Sequence, residues 1–330
     1  KEPDNNYQFI NDELQKIESK VNDIFFFFRA NKLAFSKQKF LEQFEAKKDE
    51  INSNFDFFDC FEEYLTSGSL IKSYNTIKAQ RTIKNYLKTF EEETGFVITF
   101  DKLNDLFYEE LMKYSFFEKE IKNNYFAKII AVLKSFVRWS IDKNYTTNRD
   151  FEKFKGIEHD VDIIYLTYDE LIKLYKHDFE NSRLNHVKDF YCMGCFTGLR
   201  FSDLSQLHRA NITETHINIS IQKTKTQNHI ISLNKFSKEI LDKYRGTIYE
   251  PLPKISQQKF NDYIKDCCEI IELDKPTTIT WFIGTKKVQN TVPKHQLITS
   301  HTARKTFITN SLLLGMEPKA IKKIANIKKD

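Results

Sequence analysis

Glycine and proline are scarce in this chain, with eight glycines and six prolines among 330 residues. So few glycines leave little room for the loops with which nucleotide enzymes cradle phosphates. Neither G-x-x-x-x-G-K-[ST] nor G-x-G-x-x-G occurs. H-E-x-x-H and G-x-S-x-G are missing too, and no set of paired carboxylates suggests two-metal chemistry. No apolar run approaches the roughly 18 residues of a membrane span. The longest aromatic run is FFFF at 25–28. The five cysteines are an odd number. Cys192 and Cys195 form one C-x-x-C pair, Cys267 and Cys268 are adjacent, and Cys60 stands alone. With no second pair and no histidine cluster at metal spacing, they read as buried, reduced thiols on helices in a cytoplasm. Arginine is the last scarcity, only nine of the 51 basic residues. A position that keeps arginine against this drift to lysine asks what a guanidinium does there.

What is present describes a folded, mildly basic protein. Hydrophobic residues make up 40% and aromatics 14%, enough to bury cores over two or three domains. A net charge of +5 permits a polyanionic partner without requiring one. Residues 1–50 are charged, and Phe9, Ile10, Leu14, Ile17 and Val21 recur at helical spacing. LAFSKQKFLEQFEA (33–46) reads as a second helix. Residues 55–150 read as a helical domain. In YNTIKAQRTIKNYLKTF (74–90), Ala79, Ile83, Tyr86, Leu87 and Phe90 form one apolar stripe. Lys78, Arg81, Lys84 and Lys88 lie largely away from it. A second apolar helix covers 123–141.

The polar stretch 142–160 reads as a linker. After it, Thr167 and Glu170 in LTYDEL form the S/T-x-x-E signature of a helix start. HVKDFYCMGCFTGLR predicts a helix ending at Gly198. The period then changes: HINISIQ (216–222) and HIISL (229–233) alternate as strands around the turn KTKTQN, a β-hairpin. From 235 helices return, interrupted by the Thr- and Lys-rich segment 275–292. Helices, a small sheet and helices again predict a mostly α or α+β domain without βαβ alternation.

Three cationic spots remain. Arg200 stands in TGLRFSDL with Asp203 one turn on, Lys223 and Lys225 stand in the hairpin, and His301 and Arg304 share a helix face at i and i+3 in SHTARKTF. A guanidinium presents a rigid, planar fork matching two phosphate oxygens, which an ammonium cannot. Two guanidiniums with an imidazole therefore suit a phosphodiester. An isolated Arg-x-x-Asp pair would more often be an ordinary salt bridge.

With these motifs in place, the chain resembles the tyrosine recombinases of the phage-integrase family, in particular integrases of Bacteroidetes mobile elements. TGLRFSDL resembles the first catalytic arginine motif, ISIQKTKTQNHIISL the hairpin of the catalytic lysine, and SHTARKTFITNSLLLGM the H-x-x-R motif. The resemblance implies a helical segment at 1–54 following an arm-binding head, a SAM-like core-binding domain at 55–150 and an α+β catalytic domain at 160–330. It implies that Arg200 and Arg304 stabilise a pentacoordinate phosphate, that His301 supports it, and that Lys223, or Lys225 if the register differs, protonates the leaving 5′-hydroxyl. Asp203 would support the site, and Lys78, Arg81, Lys84 and Lys88 would touch the DNA backbone. It further implies duplex DNA and a homo-tetramer as partners, room for accessory DNA-bending or excision proteins, no membrane, no metal, no cofactor and a bacterial cytoplasm.

Two departures qualify the resemblance. Asn326 and Ile327 fall where the family has glycine followed by histidine or tryptophan, and no tyrosine follows Tyr263. Three accounts are open: a nucleophile on a tail beyond Asp330, a DNA-binding relative that does not cut, or an upstream tyrosine, Tyr244, Tyr249 or Tyr263. The rival activities are a non-catalytic regulator and a type IB topoisomerase-like enzyme.

Overall fold

A computed structural model describes residues 55–221 and 226–327, with parts of 11–44. Lys223, Lys225, Phe9 and Ile10 lie outside the described residues. Leu14 and Ile17 are helical but exposed. The chain divides into two compact units, one of residues 1–159 with 282–287 and one of residues 160–281 with 288–330.

The first unit is built on α1 (Phe57–Gly68), α2 (Tyr74–Thr94), α3 (Asp105–Lys113) and α4 (Asn123–Asp142). Ser73 caps α2 by accepting the Thr76 N–H, and Gly95 ends it at φ +73, where a residue without Cβ meets no penalty. The apolar stripe faces inward as its spacing requires: Ile83, Leu87 and Phe90 are fully buried. The core is aromatic, with Phe61 stacked on Phe136 at 4.2 Å between ring centroids. Buried phenylalanines of this kind each contribute about 1.5–3 kcal/mol relative to exposure.

The linker expected at 142–160 needs correcting. Phe151 and Phe154 sit in this same core, and a 3₁₀ turn, Asp150–Lys153, carries them there. Two phenylalanines three apart in a polar stretch were the local sign. The burial itself depends on Phe107, 5.9 Å from Phe154, and on Tyr108 stacked on it at 4.9 Å.

The second unit centres on α6 (Ser182–Thr197), whose residues from Val187 to Thr197 are all buried. α5 (Tyr168–Lys176) precedes it and opens with the Thr167–Glu170 capping box. α7 (Phe201–Leu204) is a single turn. Next come β1 (Asn211–Ile212), β2 (His216–Ile221) and β3 (Thr226–Ser232), an antiparallel sheet in that order. Ile217 faces Ile231, Ile219 faces His229, and Ile221 faces Thr226. The alternation read from sequence buries Ile217, Ile219 and Ile221. α8 (Lys235–Tyr244), α9 (Gln257–Ile270), α10 (Ser300–Leu313) and α11 (Pro318–Ile324) complete the unit.

The segment 275–292 is not a simple interruption. It forms a two-stranded ribbon, β4 (Pro276–Ile283) and β5 (Lys286–Pro293). Neither strand has a fully buried position, so no strong apolar alternation marked it in the sequence. α6 and α10 cross closely where small residues meet: a Cβ on Gly194 would lie 3.1 Å from that of Ala303. This crossing brings the TGLR and H-x-x-R segments together.

Candidate active site

Gly198 ends α6 in the left-handed conformation, φ +69, with its N–H bonded to the Gly194 carbonyl. The chain reverses there and delivers Arg200 as the extended N-cap of α7. The Arg200 side chain is one-fifth exposed, 20%, and its Nη1 lies 3.9 Å from Oδ2 of Asp203, which is buried. That separation is an ion pair but too long for a hydrogen bond. Arg200 Nη1 and Asp203 Oδ2 are buried atoms without hydrogen-bond partners. Unpaired polar atoms of this kind are costly inside a protein and concentrate at functional sites.

Arg304, on the second turn of α10, is buried, and its Nη1 donates to the Gly198 carbonyl at 2.7 Å. Burial, and then the nearby Arg200 charge, push its guanidinium down to about 10, so it remains protonated at neutral pH. Burial pushes the Asp203 carboxyl above its ordinary range, against the pull of Arg200 and Arg304. Two like charges and one carboxylate therefore share a partly dry site. The arrangement favours a bound anion, which would relieve the repulsion and take up the spare donors.

His301 lies one turn before Arg304 and is exposed. The start of its helix is held by α9: Asn261 Oδ1 accepts the Ser300 N–H at 2.8 Å, and Gln257 Nε2 donates to the Ser300 hydroxyl at 3.0 Å. Sequence reading missed both residues, because the bonds join positions about 40 apart. Lys223 and Lys225 fall between the paired Ile221 and Thr226 and lie outside the described residues. Ile327 packs with Phe307, Ile321 and Ala325 in a small apolar cluster.

The upstream tyrosines are engaged elsewhere. Tyr244 is buried and donates to Asp189 Oδ2 at 2.7 Å, and burial with that carboxylate pushes its hydroxyl pKa up. Tyr249 lies against His186 at 4.4 Å, and the Tyr263 hydroxyl accepts from Arg183 at 2.8 Å. All five cysteines are buried, free thiols, as their spacing predicted. Burial pushes Cys192 and Cys195 well up, which makes both inert. Among the described residues, no three His, Cys, Asp or Glu side chains cluster as a metal site, and no helix is long and apolar enough to cross a membrane.

The basic stripe of α2 does not behave as one surface. Arg81 and Lys84 both pair with Glu62 of α1, each at 2.7 Å. Their bonds, that of Lys84 first, hold the Glu62 carboxyl below its usual range. Lys78 and Lys88 are exposed.

This architecture, mostly helical with small antiparallel sheets, matches the fold of solved integrase structures. Among solved structures, a lambda integrase dimer bound to a COC′ core site matches with a TM-score of 0.61 and 15% identity, over 83% of this chain and 96% of that one. A Tn1549 transposon integrase in complex with transposon right-end DNA matches with a TM-score of 0.62 and 13% identity, over 83% and 92% of the two chains. A lambda integrase tetramer bound to a Holliday junction matches with a TM-score of 0.61 and 14% identity, over 86% and 78%. No protein-family model and no curated protein matches the chain.

Proposed function

We propose that the protein is a site-specific DNA recombinase that cuts and rejoins duplex DNA to integrate or excise a mobile element. The observation that carries this reading is the convergence of Arg200 and Arg304 beside Asp203 in one partly buried site. A tyrosine hydroxyl would attack the scissile phosphorus, giving up its proton to His301 or to water. The Tyr O–P bond forms as the P–O5′ bond breaks, and the departing 5′-oxygen takes a proton from Lys223, or from Lys225. Arg200 and Arg304 would hold the non-bridging oxygens, with His301 completing the set and Asp203 orienting Arg200. Catalysis of this kind needs positioned charge more than a cofactor. The phosphotyrosyl bond conserves the energy needed for rejoining. The solved relatives bound to a core site, a transposon end and a Holliday junction support duplex DNA as partner and a tetramer as the working assembly.

The test is to incubate the full-length protein with a nicked duplex carrying its element's core site and look for an SDS-resistant adduct. An adduct lost in Arg200→Ala supports the reading, and peptide mapping then names the tyrosine. Tight duplex binding without an adduct overturns it in favour of a regulator. Relaxation of supercoiled plasmid regardless of sequence would point to a topoisomerase.

The surface of α2 makes a second, independent prediction. Lys78→Ala and Lys88→Ala should each weaken duplex binding and reduce the slope of log K against log salt by about one. Glu62→Gln, which releases Arg81 and Lys84 from their shared partner, should strengthen binding. Fluorescence anisotropy across a salt series measures both.

A further inference from the structure

We infer that Asn261 is a positioning residue for His301, an inference that rests on the recombinase reading above. His301 is exposed, so the place of its imidazole follows chiefly from how the backbone on either side of it is held. Both neighbours are fixed by other helices. Ser300 is buried; Asn261 Oδ1 accepts its N–H at 2.8 Å, and Gln257 Nε2 donates to its hydroxyl at 3.0 Å. Thr302 is buried as well, and its hydroxyl lies 3.0 Å from that of Tyr191 on α6.

Ser300 is the first residue of α10. The leading N–H groups of a helix have no acceptor within it, and left unmet they let the first turn fray. Here the acceptor is brought by α9, from 39 positions away in the chain. Gln257 and Asn261 stand four apart and so share one face of α9.

α9 is a firm support. Phe260, the residue before Asn261, is buried, with Phe190 of α6 at 5.3 Å and Phe201 at 5.2 Å between ring centroids. Phe201 directly follows Arg200. Two consecutive residues of α9 therefore brace two parts of the site, Phe260 beside Arg200 and Asn261 beside His301. Arg304 has its own anchor in the Gly198 carbonyl. Loss of the Asn261 bond should thus fall on His301 and spare the guanidiniums. A group that accepts or donates a proton must stay within hydrogen-bond reach of its partner, and a displacement of about 1 Å can cost roughly 10²-fold in rate.

The experiment is a double-mutant cycle with a conservative rescue. Single-turnover adduct formation by the full-length protein is timed on the nicked core-site duplex for Asn261→Leu, Asn261→Asp, His301→Ala and Asn261→Leu combined with His301→Ala. Asn261→Leu should cleave about 10- to 100-fold more slowly than wild type, with duplex affinity kept within about threefold. Asn261→Asp keeps an acceptor oxygen for the Ser300 N–H and should cleave within about threefold of wild type. In the His301→Ala background, Asn261→Leu should slow cleavage by less than about twofold, because the bond acts only through the imidazole. A general loosening of α10 would slow that background as much as it slows wild type, since Arg304 sits on the same helix, and would overturn the inference. So would an Asn261→Leu protein that cleaves at the wild-type rate, or an Asn261→Asp protein as slow as Asn261→Leu. A wild-type protein that forms no adduct would instead overturn the recombinase reading, and this inference with it.

Discussion

Arg304→Lys is expected to slow strand cleavage by roughly 10²–10³-fold, the usual cost of losing a preorganised donor, with duplex affinity kept within about threefold. The substitution preserves charge, so a purely electrostatic role would tolerate it. The geometry does not. Arg304 uses Nη1 to grip the Gly198 carbonyl at 2.7 Å, which fixes the plane of the guanidinium and leaves its other N–H groups free to aim at a second acceptor. A lysine ammonium is a point charge on a flexible stem and cannot hold the carbonyl and present a planar pair of donors together. It would also occupy a buried place beside the positive Arg200, where an amine sheds its proton far more readily than a guanidinium. Single-turnover cleavage and equilibrium binding, measured on the same duplex, separate the two effects. A lysine variant that cleaves at the wild-type rate would exclude Arg304 from the chemistry proposed here. The expected loss would also explain why these positions keep arginine in a chain so given to lysine.

Gly198→Ala is expected to destabilise the protein by about 3 kcal/mol or more and to abolish cleavage. Two costs combine. The residue sits at φ +69, where a side chain is strained by roughly 1–2 kcal/mol. The added methyl would also lie 2.6 Å from Cδ1 and 2.8 Å from Cε1 of Phe307, and forcing a group into a packed site costs typically 1–3 kcal/mol. If Phe307 yields, it shifts the cluster with Ile321 and Ala325. If the Gly198 carbonyl yields, Arg304 loses its anchor. Gly95→Ala is the control: its φ is +73, but a Cβ there would meet nothing within 4 Å, so only the backbone cost of about 1–2 kcal/mol remains. Urea unfolding of both variants gives the difference directly. Equal losses would mean that the contact with Phe307 is soft and that Gly198 is needed for its dihedral alone.

The local signals in this sequence were dependable because each is a short-range bond that its residues make wherever they are placed. Thr167 and Glu170 close their capping box three residues apart, Gly198 terminates α6, and Ile217, Ile219 and Ile221 alternate into the core. The apolar stripe of α2 likewise predicted its buried face. The ribbon at 276–293 escaped because neither strand is buried enough to write a pattern. Phe151 and Phe154 escaped because a 3₁₀ turn of four residues has no periodicity to read.

Sequence alone supplied the candidates: the few arginines, the H-x-x-R spacing, the two lysines between the alternating segments and the helical character around them. Only the tertiary structure decided how they combine. The bond from Arg304 to the Gly198 carbonyl spans 106 positions, and that from Asn326 to Thr226 spans 100. Glu62 draws Arg81 and Lys84 out of an apparently uniform basic stripe from another helix, with Lys84 some 22 positions away. Periodicity and capping are set by bonds within a few residues, so they survive in a one-dimensional string. The pairing of charges and the aiming of a guanidinium depend on which helices cross and where. That is decided by packing at such points as Gly194 against Ala303.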